Sequence, residues 1–344
     1  MRGFFVADCT SSAATDLRCM LRYCRTIGTR LPARTCMYAS AAGPRYPALA
    51  LVVLILAMPP VVLSVQSHVA YGHAGNSAAV FPLQRLGIEA VPVHTVQFSN
   101  HTGYGAFRGQ VFDAQHLQDI FVGLEERGIL GRIDAVLSGY MGDASIGDAI
   151  VAIADRVRQR NPKARYLCDP VFGDVGRGIF VRPGIPEYHR THTLPAADII
   201  TPNQFEFEQL MGGAPLQSIA HTLEVARSYI NGSAKTVIIT SVMTPDVPSG
   251  TLATLAITGE HAWTVYTPVI ERQPLPNGMG DTFSAILLAR LLLGESLPHA
   301  LAHATSSLFA LVHATCDGSR DLPLVAAQAE IVAPSRPFDV MVID

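Results

Sequence analysis

Lysine is almost missing from this chain. Only Lys163 and Lys235 occur among its 25 basic residues, and arginine carries the rest of the positive charge. Neither lysine stands in a GxxxxGK[ST] run, so a P-loop nucleotide site is excluded. Cysteine is sparse and poorly spaced. Cys9, Cys19, Cys24 and Cys36 crowd the N-terminus, Cys168 and Cys316 stand alone, and no CxxC pair occurs. A zinc or disulfide framework is therefore not expected, and a reducing compartment fits better. Charged residues make up only 15% of the chain, and the net charge is -3. That balance gives no reason to expect a nucleic-acid partner. A GxGxxG dinucleotide fingerprint is also missing; HVAYGHAGN follows the first strand instead.

Apolar residues are plentiful. They form 49% of 344 residues, enough for one large α/β domain or two modest ones, with a sizeable core. The N-terminus differs from the rest. Residues 1–45 hold seven arginines, no lysine, and only Asp8 and Asp16 as acids, which resembles a mitochondrial transit peptide. PALALVVLILAMPPVVLSV follows, from Pro47 to Val65, an uncharged run of membrane-spanning length. The pair Pro59-Pro60 interrupts any helix there. The preferred reading is a leader running into a first core strand, VVLSV. A membrane anchor and a mis-assigned start are the alternatives. The expected division is an extension over 1–58 and a single catalytic domain over 59–344.

From Val61 onward, strand-like and helix-like segments alternate. VVLSV, EAVPVHTV, IDAVLSGY, ARYLCDPV, ADIITPN and KTVIITS read as strands. NSAAVFPLQRLG, DAQHLQDIFVGLEERGIL, SIGDAIVAIADRVRQRNP and DTFSAILLARLLLG read as helices, the last taken as the final one. Alternation of this kind predicts an α/β fold in three layers, with a mostly parallel central sheet and helices on both faces. Ligands of such sheets sit at the carboxyl ends of the strands.

The polar residues fall there. In NGMGDTFSAILLARLLLG, Gly278 and Gly280 flank Met279, and Asp281 opens a helix. A helix start offers unpaired N–H groups to an anion. Asp281 then reads either as an N-cap or as a base beside an anion hole. CDPVFGD places Asp169 and Asp174 after one strand, and ITPNQFEFEQL places Asn203 and Glu206 after another. Carboxylates and amides so placed suit hydrated Mg²⁺ bridging to phosphates. Taken singly, Glu206 is equally a helix-dipole acid, and Asp169-Pro170 a turn. The histidines His68 and His73, in VQSHVAYGHAGNSAA, read as solvated or structural.

GMGDTFSA resembles the glycine loop of ribokinase-like kinases. VQSHVAYGHAGNSAAVFPLQRLG, VQFSNHTGY, FRGQVF, LSGYMGD, CDPVFGD, ADIITPNQFEFEQL and VIITS, in this order, resemble the pyridoxal kinase family. TPNQFE and ITS are closer to its eukaryotic members. The resemblance implies a ribokinase-like fold and ATP-dependent phosphorylation of pyridoxal, pyridoxine and pyridoxamine. It implies Asp281 as the base and Gly278 and Gly280 as the anion hole. It places Ser67, Thr102 and Tyr140 around the pyridine ring. It places Asp169, Asp174, Thr201, Asn203, Glu206, Thr240 and Ser241 near the ATP phosphates and cations, with Asp169 and Glu206 reaching Mg²⁺ through water. Mg²⁺ with K⁺, a homodimer and a cytoplasmic location also follow; mitochondrial or membrane-anchored locations are the alternatives through residues 1–58. Met279 departs from the family's usual threonine, which removes a hydroxyl near the nucleotide, and Phe107 replaces a common tryptophan. Two other readings stand: a kinase of hydroxymethylpyrimidine or another small alcohol, and a catalytically weak binder of the vitamin.

Overall fold

The computed structural model describes residues 58–231 and 236–344. The transit-like segment and most of the apolar run lie outside the described residues. Ten strands form one sheet: β1 (Val61–Tyr71), β2 (Glu89–Asn100), β3 (Gly109–Val111), β4 (Ala135–Ser138), β5 (Arg165–Cys168), and, after a small hairpin of β6 (Gly173–Asp174) and β7 (Gly178–Ile179), β8 (Ile199–Ile200), β9 (Thr236–Val242), β10 (Thr251–Ile257), β11 (Ala262–Pro268) and β12 (Met341–Val342). Their order across the sheet is β12-β11-β10-β9-β8-β5-β4-β1-β2-β3. The central pairings from β9 to β2 are parallel, and both edges are antiparallel.

Strand alternation explains the continuous apolar runs. Val61, Leu63 and Val65 of β1 enter one buried cluster, while Val62 enters a second. Val136 against Ala135 and Leu137, and Ile239 against Ile238, divide in the same way. A strand covered on both faces needs apolar residues at every position. The first face holds helices α2 (Ala114–Glu126), α3 (Ala144–Arg160), α4 (Gln204–Leu210) and α5 (Ile219–Ile230); the second holds α1 (Asn76–Arg85), α6 (Met279–Leu292) and α7 (Leu297–Ala314). This is the predicted three-layer fold.

Three expectations need correction. β1 does not stop at Val65 but runs to Tyr71, so Ser67 and His68 lie on the strand rather than in the turn. α6 is not the last helix, because the longer α7 follows it. The β10, β11 and β12 strands also went unread; they close the sheet by antiparallel pairing rather than by another crossover. Among the described residues, no helix is long and apolar enough to cross a membrane.

β1 pairs with β2 on one side and with β4 on the other. The chain thus reverses its direction of travel across the sheet at β1. A crevice opens at the carboxyl ends of strands where this happens.

Candidate active site

Asp281 stands in the first turn of α6, after Gly278 in the left-handed conformation at φ 77°. Gly278 has no alternative there. A Cβ would fall 2.4 Å from the His73 carbonyl oxygen. The Asp281 carboxylate accepts the Gly75 backbone N–H at 2.8 Å. Burial pushes its pKa above the ordinary carboxylate value, and that hydrogen bond opposes the rise. Gly75 also lacks room for a side chain: a Cβ would meet the Ser67 carbonyl oxygen at 2.2 Å and its hydroxyl oxygen at 2.3 Å. One glycine therefore brings Ser67 and Asp281 together.

Asp169 follows β5 and is buried. The Ser284 hydroxyl, on α6, donates to its Oδ2 at 3.3 Å, and the Thr201 and Ser284 hydroxyls are 2.9 Å apart. A Cβ on Gly280 would sit 3.5 Å from the same Oδ2, so the glycine loop passes directly over this carboxylate. Burial drives the Asp169 pKa well above its usual value, and the neighbouring charges of Glu206 and Asp281 add to the rise.

Glu206 is held more tightly. Asn203 and Glu206 form a capping box at the start of α4. Glu206 Oε1 accepts the Phe172 and Gly173 N–H groups at 2.9 and 3.2 Å, and Oε2 accepts the Asn203 N–H at 3.0 Å. Asn203 donates in turn to the Gly173 carbonyl at 2.9 Å. Burial still lifts the Glu206 pKa to about 8, against those three hydrogen bonds. Glu206 is thus a helix-capping acid first, with one carboxylate face left over. Asp174 lies beside it on β6; burial raises its pKa, and it accepts the Val175 N–H at 2.8 Å. Thr240 joins the group through its N–H, which donates to the Pro202 carbonyl at 3.0 Å. Ser241 is exposed and takes φ 56°, unusual for a residue other than glycine.

The other wall is apolar. Val69, Ala74, Val96 and Phe98 form a small buried cluster, with Tyr140 packed against it. Thr102 opens a short turn, Thr102–Tyr104, on the rim and is exposed.

A family model described as phosphomethylpyrimidine kinase matches residues 78–320. "Pyridoxal kinase PdxY" of Rubrobacter xylanophilus is 50% identical over 281 residues, covering 81% of this chain and 96% of its own length. The protein of that name from Deinococcus radiodurans is 46% identical, covering 82% and 96%. Pyridoxal kinase from Leishmania donovani, solved in complex with ADP and pyridoxamine, superposes with a TM-score of 0.76 at 31% identity, covering 83% of this chain and 99% of that one. The chain belongs to the pyridoxal kinase family.

Several predicted residues meet: Asp281 meets Gly75 beside Ser67, Gly280 passes over Asp169, Ser284 bonds both Asp169 and Thr201, Asn203 and Glu206 share a capping box, and Tyr140 packs on the apolar wall. Thr102 and Ser241 lie on the rim without side-chain partners that fix them. Met279 is half-buried and packs against the apolar cluster of α1, α6 and α7. Ser284 and Tyr104 were missed, as were Arg320 and Asp321. Ser284 lay in sight, one turn after Asp281 on the same helix. The other three gave no local signal.

Proposed function

We propose that this protein transfers the γ-phosphoryl group of ATP to the 5′-hydroxyl of pyridoxal, and of pyridoxine and pyridoxamine, in vitamin B6 salvage. The observation that carries this reading is the placement of Asp281. Its carboxylate is fixed by the Gly75 N–H beside Ser67, and the loop that bears it crosses over Asp169. The hydroxyl oxygen attacks the γ-phosphorus, its proton passes to the Asp281 carboxylate, and the bond to the β-phosphate oxygen breaks to leave ADP. The raised Asp281 pKa makes it a better proton acceptor than an ordinary aspartate. Backbone N–H groups of the loop opening α6 face the transferring phosphoryl. Ser67 and Tyr140 orient the pyridine ring against the Val69–Phe98 wall.

Asp169 and Glu206 suit a divalent cation. Both are buried, both have raised pKa values, and their hydrogen-bond partners are hydroxyls and backbone N–H groups rather than cations. Among the described residues no cluster of three or more ligating side chains could hold a metal by itself. That fits Mg²⁺, which keeps waters and is completed by phosphate oxygens. When bound, Mg²⁺ neutralises phosphate charge. Asp169 and Glu206 would hold it, Glu206 through water because three N–H groups already engage its carboxylate.

We assign the catalytic unit to residues 59–344 and treat 1–58 as an extension. A chain beginning at Pro59 is expected to be soluble and active; recovery of activity only with residues 47–58 in detergent would favour an anchor. A homodimer and a cytoplasmic location are part of the same proposal, checked by light scattering and by fractionation. The activity is tested by following ADP release with pyridoxal, pyridoxine, pyridoxamine and hydroxymethylpyrimidine in turn. Turnover of the three vitamers is the expected result. Preference for hydroxymethylpyrimidine, or binding of pyridoxal without ADP release, would overturn it.

A further inference from the structure

Arg320 and Asp321 lie in the segment between α7 and β12, far along the chain from the substrate wall. Asp321 Oδ1 accepts the His73 backbone N–H at 2.8 Å, and its Oδ2 accepts the Tyr104 hydroxyl. The same carboxylate closes over Gly72, where φ is +91° and a Cβ would lie 2.5 Å from Oδ1. Arg320 Nη1 donates to the Gly103 carbonyl at 2.9 Å, and its guanidinium stands 5.6 Å from the Tyr104 ring centroid. The Arg320 carbonyl accepts the Asn277 N–H at 2.8 Å. Two adjacent residues therefore join three loops, two of which also meet through the Gly75 N–H and the Asp281 carboxylate. One follows β1 and carries Gly75. One follows β2 and carries Thr102. The third leads into the Gly278–Asp281 loop.

We propose that Arg320 and Asp321 are positioning residues that set the width of the vitamer pocket. They tie the turn at 72–75 to the turn at 101–105, and both to the loop that presents Asp281. This rests on the pyridoxal kinase reading of the site. The strap touches none of Asp169, Asn203 or Glu206; Asn203 and Glu206 bond each other and the 172–173 turn, and Asp169 bonds Ser284. Loosening it displaces the pocket walls and leaves the nucleotide end in place. Asp281 is aimed by the Gly75 N–H, so a shift of that turn also lowers turnover, since small misplacements in a reacting pair are costly.

The test has two readouts. The first is amide hydrogen exchange, which needs no activity. Asp321→Ala should speed exchange in peptides covering 72–77 and 100–105, and leave those covering 168–174 and 203–210 unchanged. The second is kinetic. Asp321→Ala should raise the KM for pyridoxal about tenfold or more, the scale set by losing a hydrogen bond to a charged group, with the KM for ATP within about twofold. Tyr104→Phe should give a smaller rise, and should add nothing on top of Asp321→Ala, because both break one contact. Should Asp321→Ala not fold, Asp321→Asn and Tyr104→Phe carry the same comparison. Exchange that rises evenly over the whole chain, or equal changes in both KM values, overturns the strap. An inactive parent protein with localised exchange changes would instead sink the kinase reading and keep the strap.

Discussion

The two ends of the crevice are held together in opposite ways. At the acid end, Asn203 and Glu206 bond each other's backbone, and Glu206 reaches only to Phe172 and Gly173. Every partner lies on a strand end or helix start packed against the first buried face. At the vitamer end, the contacts that fix the turns cross 248 and 217 residues of chain, from His73 and Tyr104 to Asp321. The acid end is thus held by hydrogen bonds among elements that share one buried face. The vitamer end depends on a segment more than two hundred residues further along the chain. A site of this kind can keep its phosphate geometry while its substrate pocket is tuned by residues far from it.

Asp281 sits where the two ends meet, and removing its charge has the largest expected effect. Asp281→Asn keeps an acceptor for the Gly75 N–H and loses the base. A fall in kcat of roughly 10²- to 10⁴-fold is expected, with the KM for ATP nearly unchanged because the acid end is self-contained. Steady-state kinetics check both numbers. Near-normal turnover would remove Asp281 from the mechanism.

Glu206→Ala breaks the acid end alone. It removes the Glu206 half of the capping box of α4 and leaves the Phe172, Gly173 and Asn203 N–H groups without their acceptor. A loss of about 3 kcal/mol follows from the cap and the stranded donors together. Urea unfolding measures it. A loss below about 1 kcal/mol would mean that water enters and replaces the carboxylate.

Beneath the acid end lies a buried neutral cluster. His189 Nδ1 is 2.7 Å from the Thr193 hydroxyl and 3.9 Å from the Cys168 sulfur, directly before Asp169 in the chain. Burial lowers the His189 pKa to about 3. Below the ordinary value of about 6.5, the unfolded chain takes up a proton that the folded chain refuses. Stability from this group is therefore complete above that pH and declines as the pH falls toward about 3. Between pH values of about 7.5 and 5 the decline should reach roughly 2 kcal/mol. His189→Asn should flatten that slope, which unfolding at the two pH values reads out. An unchanged slope would place the acid sensitivity elsewhere.

The same contrast explains what could be read in advance. TPNQFE sets Asn203 and Glu206 three residues apart at a helix start, the spacing of the capping box found there, and the apolar strands β1, β4, β5 and β9 announce themselves because both faces are covered. Asp281 stood out through its glycines, of which Gly278 needs a positive φ and a close approach to His73 that only glycine allows. Asp321 was not. A carboxylate that caps a turn more than two hundred residues away leaves no period and no spacing. β10 and β11 went unread for a related reason: their alternation with helices had ceased, and the pattern that revealed the rest no longer applied. Ser67 was expected in a turn but lies on β1, since polar residues inside a strand look like its end.

The smallest expected effect is at Met279, and it sharpens the comparison by showing which way the loop between the two ends faces. On sequence grounds, Met279→Thr would restore a hydroxyl toward the nucleotide and improve ATP binding. The side chain instead packs against the apolar cluster of α1, α6 and α7. The backbone N–H groups that face the phosphates are unaffected by what the side chain is. The change then acts on packing. Shortening a half-buried methionine and placing a hydroxyl against apolar neighbours costs about 1 kcal/mol of stability, with the KM for ATP moving less than about twofold, which is under 0.5 kcal/mol of binding. Unfolding and ATP kinetics of the one variant separate the two outcomes. A several-fold drop in the KM for ATP without loss of stability would mean that residue 279 reaches the nucleotide after all, and that the glycine loop turns its side chain toward the phosphates when ligand binds.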